Sequence, residues 1–293
     1  MITWDRVDEL VTHARVTGSG YSRVNCPACW ERHGSPDHKA SLSANRETGW
    51  WKCHRCDWRG RLAGFHDDPA DRLALVPDDP PVIEVEEPSD YWPLGPESRW
   101  VLRRATAYLD TRGIPESTWT AARLGYARTG RHQGRIILPM EDADDWRTLG
   151  FAARTIRDEV PKYLTALGLD RSWSLYNGDQ LTSGSLDPIL GVEGPISALR
   201  HWPRAVAYLG KPTTGQLARL ARASRVSGRP IVQVLDGDAW RAGLASAQTL
   251  RAAGVACWSL ALPAGQDPDT HDPVELWDAA LYAAQEGTDV DLG

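Results

Sequence analysis

The sequence predicts an α/β protein in three parts: a small β unit stapled by a metal, an α+β segment, and a core built on a largely parallel sheet. Three observations predict it. Two Cys-x-x-Cys clips, Cys26-Pro-Ala-Cys29 and Cys53-His-Arg-Cys56, stand 23 residues apart near the start. A stretch rich in acids and prolines interrupts the chain over residues 67–98. From Asp187 onwards, short apolar runs alternate with amphipathic ones in a strand, turn, helix rhythm. At 293 residues the chain exceeds a typical single domain, so two or three units are expected.

The elements follow in order. Ile2, Val7, Leu10 and Val11 recur at helical spacing, which predicts a short helix within an N-terminal segment 1–20. The next segment, 21–66, holds the clips. A two-residue gap lets both thiolates of a clip face one ion, and two clips complete a closed tetrahedral four-sulfur shell at about 2.3 Å. Cys26, Cys29, Cys53 and Cys56 are therefore read as the ligands of one structural zinc, in a zinc ribbon, rather than as two disulfides or four separate buried thiols. Met1 to Glu9 carries acids and an Arg with no apolar run behind it, so a secretory signal is not expected and the cytoplasm, where thiolates persist, is the expected compartment. No apolar run is long enough to suggest a membrane span. Cys257, alone in an apolar stretch, reads as a small core residue.

Residues 67–98 read as an extended, mobile linker, or as an acidic segment that lies over a basic surface. In the α+β segment, 99–185, helices are expected over Arg104–Arg112 and Pro115–Arg123, and strands over Arg135–Pro139 and Leu149–Ile156 around the acidic turn Glu141–Asp145. In the core, 186–284, the expected pairs are Ile189–Val192 with Ile196–Trp202, Ala205–Leu209 with Gln216–Ala223, and Ile231–Leu235 with Ala242–Ala253. A strand Cys257–Leu262 and a helix Pro273–Ala284 complete it, and 285–293 reads as a tail.

A net charge of -6 conceals a strong pattern. Residues 20–66 hold eight bases against four acids, 67–98 ten acids against one base, and 99–185 thirteen bases against ten acids. Two basic units thus flank an acidic connector. Only four of the 33 bases are lysines; Arg suits phosphates and base edges, although genomic codon bias produces the same excess.

The turns after the core strands carry acids. Glu193 follows Ile189–Val192, Asp236 and Asp238 follow Ile231–Leu235, and Asp267 and Asp269 follow the run ending at Pro263. Taken singly, each is a common turn or helix cap. A parallel sheet brings all three turns to one edge, where mutual repulsion is costly unless a hard cation neutralises it. This predicts a Mg2+ or Mn2+ site that takes substrate phosphates as further ligands.

The two constellations together resemble DnaG-type DNA primases and the toprim fold that they share with topoisomerases and some nucleases. In the ribbon the resemblance rests on Cys26-Pro-Ala-Cys29, Asp37-His-Lys-Ala-Ser-Leu-Ser43 and Trp51-Lys-Cys-His-Arg-Cys56 with Gly60. In the middle it rests on Tyr108 to Gly113, Leu124-Gly-Tyr126, Arg135 to Pro139, Gly150 to Arg154 and Pro161-Lys-Tyr-Leu164. In the core it rests on Val192-Glu-Gly194, Leu209-Gly210, Asp236-Gly-Asp238 and Leu262 to Asp269. The resemblance implies a toprim-type parallel-sheet core with an α+β N-terminal subdomain, and a basic ridge of Arg154 and Lys162, with Arg135 and Arg157 beside it, for nucleotide and template. Some relatives use a histidine as zinc ligand, which leaves His33, His38 and His54 in reserve. Ser197 stands where the family often has a further acid. Gly210-Lys211 lacks the earlier glycine of a phosphate loop, so no ATPase is expected and a replicative helicase would be a separate partner.

The implied activity is synthesis of short RNA primers from NTPs on single-stranded DNA, with a lean towards a phage or mobile-element enzyme. Metal held by Asp236, Asp238 and Asp267, assisted by Asp269, would orient the triphosphate, and Glu193 would hold a metal-bound water or take a proton. In the ribbon Trp30, Trp50, Trp51 and Trp58 offer stacking faces, one or two of them exposed, and Lys39, Arg46, Lys52, Arg55 and Arg59 offer phosphate contacts. Two alternatives stay open. A toprim nuclease would not need the ridge at Arg154 and Lys162, and a single-strand-binding module with a decayed site is suggested by Ser197.

Overall fold

A computed structural model of the chain describes residues 5–14, 21–46, 49–62, 73–74, 76, 84–88, 90–141, 148–182 and 185–293. Ile2, the acids 67–72 and most of the turn 141–145 lie outside them. The chain forms two compact units, Met1–Val76 and Pro77–Gly293.

In the first unit, helix α1 (Asp5–Thr12) buries Val7 and Val11, one turn apart, against Leu42, Ala44, Trp51 and Leu62. Strands β1 (Tyr21–Val24), β2 (Leu42–Asn45), β3 (Trp50–Cys53) and β4 (Arg59–Arg61) make an antiparallel sheet in sequence order, with α2 (Cys29–His33) between β1 and β2. The two-residue period sets its faces: Leu42, Ala44, Trp51 and Cys53 point inward, while Ser43, Trp50, Lys52 and Arg59 point outward. So little apolar surface cannot hold a domain without a staple.

The second unit begins with an antiparallel sheet in the order β5 (Trp92–Pro93), β6 (Gly125–Ala127), β7 (Arg135–Glu141), β8 (Thr148–Thr155) and β9 (Tyr163–Thr165). Between β5 and β6 run helices α3 (Arg103–Thr111) and α4 (Glu116–Ala121), whose Leu109 and Trp119 share one apolar cluster with Ile136 and Leu138 of β7.

The chain then alternates β10 (Ile189–Val192), α5 (Pro195–Arg200), β11 (Ala205–Ala207), α6 (Thr214–Ser227), β12 (Ile231–Val234), α7 (Trp240–Ala252), β13 (Cys257–Ala261), α8 (Pro273–Glu286) and β14 (Val290–Asp291). The sheet is parallel throughout, in the order β11-β10-β12-β13-β14. Strands β10 and β12 are buried on both faces, as expected of a parallel sheet covered by helices. From β10 the chain steps outward to β11 and returns on the other side at β12. The strand order therefore reverses between β10 and β12, and ligands bind at the carboxyl ends of the strands at such a point.

Two segments depart from expectation. The end of the acidic stretch is part of the core surface: Glu86 N–H donates to the Leu167 carbonyl at 3.0 Å, the Asp90 carboxylate accepts from the Arg128 and Thr129 amides at 2.7 Å each, and β5 pairs with β6. Acids that read as solvating a spacer instead cap loop amides, and Pro93 sits on an edge strand where no donor is missed. Residues 285–293 likewise carry an edge strand, with Leu260 opposite Val290. Two residues are too few to show a strand period in sequence.

Candidate functional site

The four cysteine sulfurs lie within 4.8 Å of one another, with Cys26 Sγ to Cys56 Sγ at 3.8 Å and Cys29 Sγ to Cys53 Sγ at 3.6 Å. Sulfurs on a tetrahedron about 2.3 Å from its centre stand about 3.8 Å apart, so the thiols fit zinc. None is in a disulfide, and none of His33, His38 and His54 joins the group. Burial pushes the Cys26 and Cys29 thiols up, Cys29 to about 12, so binding must displace their protons.

Asp37, which the ligand spacing does not single out, organises the knuckle. Its buried carboxylate accepts from the amides of Cys26 (2.8 Å), Lys39 (2.9 Å) and Ser41 (2.7 Å) and from the Ser41 hydroxyl (2.9 Å). Burial opposes its charge, but these donors prevail and lower its pKa to about 2.

The ribbon's aromatic residues divide. Trp30 and Trp50 are 64% and 56% exposed, whereas Trp51 is 2% exposed and its ring meets Trp58 edge-on at 4.6 Å. Trp51 is therefore core rather than a stacking face, and half-buried Trp58 packs on it. Trp50 opposes Arg61, whose guanidinium lies 5.1 Å from its ring centroid, and Lys52 opposes Arg59, so these four share the outer face. Lys39 is exposed. Lys52 also pairs with Asp57 at 3.0 Å. Arg46 and Arg55 are structural: Arg46 donates to the Val11 and Thr12 carbonyls at the end of α1, and Arg55 to the Pro36 carbonyl and Ser35 hydroxyl.

In the second unit a cavity of about 400 Å³ opens at the carboxyl end of the parallel sheet. Glu193, Asp236, Asp267 and Asp269 share its lining with Arg112, Arg154, Lys162 and Arg171. The Gly237 amide donates to the Gln266 carbonyl at 2.8 Å, which stitches the turn after β12 to the turn after β13. A side chain at Gly237 would collide with the Pro263 carbonyl, so this crossing requires glycine. Buried His201 has its Nε2 2.9 Å from the Pro268 carbonyl, between Asp267 and Asp269.

The electrostatics are those of crowded acids. Burial, then Asp267, Glu193, Asp238 and Asp269, raise Asp236 to about 7. Burial and Asp238 push Glu193 up against the pull of Lys211, and burial with Asp269 and Asp238 pushes Asp267 up. Asp238 acts from the exposed rim rather than the cavity wall. Asp269 already has a cation, with Arg112 Nη1 at 2.8 Å. The carboxylates do not converge as the thiols do, since among the described residues only the cysteines gather three or more ligand atoms within 4.8 Å. Ser197 is buried in the cavity wall, where it adds no charge.

Of the four expected ridge residues, Arg154 and Lys162 line the cavity. The Arg154 Nε donates to the Tyr108 hydroxyl at 2.9 Å, and its guanidinium lies 4.9 Å from the Tyr163 ring, which aims it into the cavity beside Lys162. Arg135 is corrected: it is buried, and its guanidinium donates to the carbonyls of Ala153, Pro161 and Lys162 at 3.1–3.2 Å. It braces β8, which carries Arg154, and the segment that carries Lys162, and it does not line the cavity. Arg157 lies outside the cavity and pairs with Glu159 at 3.4 Å. Arg112 and Arg171 were missed. Arg112 stands in a helix-end motif that reads as a helix stop, and Arg171 lies in a loop with no periodicity.

No protein-family model matches the chain. A DNA primase of Deinococcus radiodurans is 25% identical over 87% of this chain and 54% of its own length, so the chain spans about half of that relative. The structure of the Aquifex aeolicus primase zinc-binding and RNA polymerase domains covers 98% of this chain and 83% of its own, with a TM-score of 0.53 at 20% identity. That of a DnaG primase catalytic domain bound to single-stranded DNA covers 63% of this chain and 73% of its own, with a TM-score of 0.50 at 24% identity. In sequence over most of its length, and in fold across both ribbon and core, this chain resembles the DnaG-type DNA primases.

Proposed function

We propose that the chain synthesises short RNA primers from NTPs on a single-stranded DNA template. The observation that carries this reading is the cavity at the parallel-sheet edge, whose lining combines Glu193, Asp236 and Asp267 with Arg154, Lys162 and Arg171. Carboxylates that need cations and guanidinium and ammonium groups that need anions, gathered in one cavity, suit a metal triphosphate. The donor set fits Mg2+ or Mn2+: all oxygen, crowded enough that Asp236 retains its proton to about pH 7 when no cation relieves it.

Asp236, Asp238 and Asp267 would hold the metal, which when bound supplies charge neutralisation at the transferring phosphoryl group. Arg154, Lys162 and Arg171 hold the triphosphate oxygens. Tyr108 and Tyr163 fix the Arg154 plane, so little orientation entropy is lost on binding. Glu193, its affinity for a proton raised by burial, accepts the proton from the attacking 3′ hydroxyl. The outer face of the ribbon, with Trp50, Lys52, Arg59 and Arg61, engages the template, and unwinding falls to a separate helicase.

Incubation with single-stranded DNA, labelled NTPs and Mg2+ or Mn2+ tests this. Labelled oligoribonucleotides that disappear in Glu193→Gln and Asp236→Asn support it. Shortened DNA with no labelled product would sink it in favour of a nuclease.

A further inference from the structure

An exposed aromatic side chain stands beside a cationic helix start outside the cavity lining, in the turn that leads into α3. Trp100 is 92% exposed and Val101 beside it is 66% exposed. An indole left in water costs free energy, and one beside exposed guanidiniums offers a stacking face with cations for the adjoining phosphates. The cations are Arg103 and Arg104 in the first turn of α3, both exposed and without an ion-pair partner among the described residues. Arg99, next to Trp100, is by contrast spent on Asp110 and Glu116.

Helix periodicity extends the surface towards the cavity. Arg104, Tyr108 and Arg112 follow one another at four-residue intervals, so they share one face of α3 and its C-terminal end. Arg112 lies over the Tyr108 ring at 5.4 Å and reaches Asp269, and the Tyr108 hydroxyl accepts from Arg154. From Arg104 to Arg112 the rise is about 12 Å. That is three to four steps of a stacked strand at about 3.4 Å each.

We propose that Trp100, Arg103 and Arg104 form a track on which single-stranded template DNA lies as it passes along α3, with one base stacked on Trp100 and the backbone against the two arginines. The proposal rests on the primer-synthesis reading and adds a surface to it. An exposed aromatic face next to exposed guanidiniums is the chemistry of sequence-tolerant single-strand binding. A protein partner would seek a broader apolar patch with the charges at its rim.

The test is fluorescence anisotropy of labelled oligo-dT with the full chain, in the wild type and in a Trp30→Ala/Trp50→Ala background that removes the ribbon's exposed rings. Trp100→Ala weakens binding about fivefold or more in both backgrounds, and Trp100→Phe restores most of it. Arg103→Ala/Arg104→Ala lowers the slope of log affinity against log salt by about 0.7 for each phosphate that is no longer neutralised. Trp100 is solvent-facing, so its variants keep the wild-type melting temperature. Unchanged affinity in Trp100→Ala overturns the track while leaving primer synthesis intact. So does unchanged affinity with loss of self-association in sedimentation, which would make the patch an interface between copies. A wild type that binds no single strand overturns both.

Discussion

The ribbon and the core each gather anionic ligands, and they do it in opposite ways. The ribbon's four thiols already stand 3.6–3.8 Å apart across each diagonal pair, the spacing that zinc imposes. The core's carboxylates are spread along three turns, each biased towards its protonated form by burial and by its neighbours. The contrast fits the different parts proposed for the two ions. A structural ion closes a shell that the protein supplies entirely, whereas a catalytic ion leaves coordination positions for substrate and water, so its protein ligands need not converge. The supporting forces differ too: the ribbon has a small apolar cluster around its sulfurs, while the core buries helices α3 and α4 and a full parallel sheet in one continuous cluster.

The largest effect expected from this comparison is on the ribbon. Chelation of zinc, or Cys53→Ser, removes a contribution of roughly 10 kcal/mol and unfolds the first unit. Elemental analysis then finds the metal gone, and calorimetry retains one transition for the core. A core that unfolds with the ribbon would break the contrast. Next, Asp236→Asn lowers primer synthesis about a hundredfold or more, with the core still folded by circular dichroism.

Smaller effects sharpen the picture of residues that only brace a site. Asp37→Ala strands buried amides and costs the ribbon about 3 kcal/mol, measured as a fall in its melting temperature with zinc still bound at saturation. Arg135→Ala costs the core about 2 kcal/mol by removing the guanidinium that donates to the Pro161 carbonyl, yet leaves nucleotide affinity, read by equilibrium binding, within about twofold. A large loss of nucleotide affinity in a folded Arg135→Ala protein would return that side chain to the ridge.

The smallest is a pH effect. Asp236 holds its proton more tightly in the folded state than in the unfolded chain, where it titrates near 3.9. The stability this confers is fully present below about pH 4 and is lost as pH rises through about 7. Melting temperature of the core in EDTA should therefore fall between pH 5 and 8, less so in Asp236→Asn, and Mg2+ should flatten the curve. No such dependence is expected of Asp37 in the ribbon over that range, because its carboxyl, at about 2, is ionised throughout.

The reading of residues anticipated whatever is local and periodic. Twin Cys-x-x-Cys clips need only a tight turn to bind, and strands such as Ile189–Val192 are long enough, and buried enough, to show as unbroken apolar runs. With alternating helices they place Glu193 and Asp236 at one edge by topology alone. Tertiary packing made the choices among chemically equivalent side chains. Trp50 and Trp51 are neighbours in sequence, and the pleat turns one to solvent and the other into the core. Arg135 and Arg154 oppose neighbouring positions across the β7 and β8 pair, yet one is consumed by backbone carbonyls and the other lines the cavity. Arg171 and Arg112 gain their place only when loops distant in sequence close on one cavity. The ligands and the sheet were legible in the chain because they depend on short-range spacing; which cations face the acids depends on long-range packing, which no local pattern encodes.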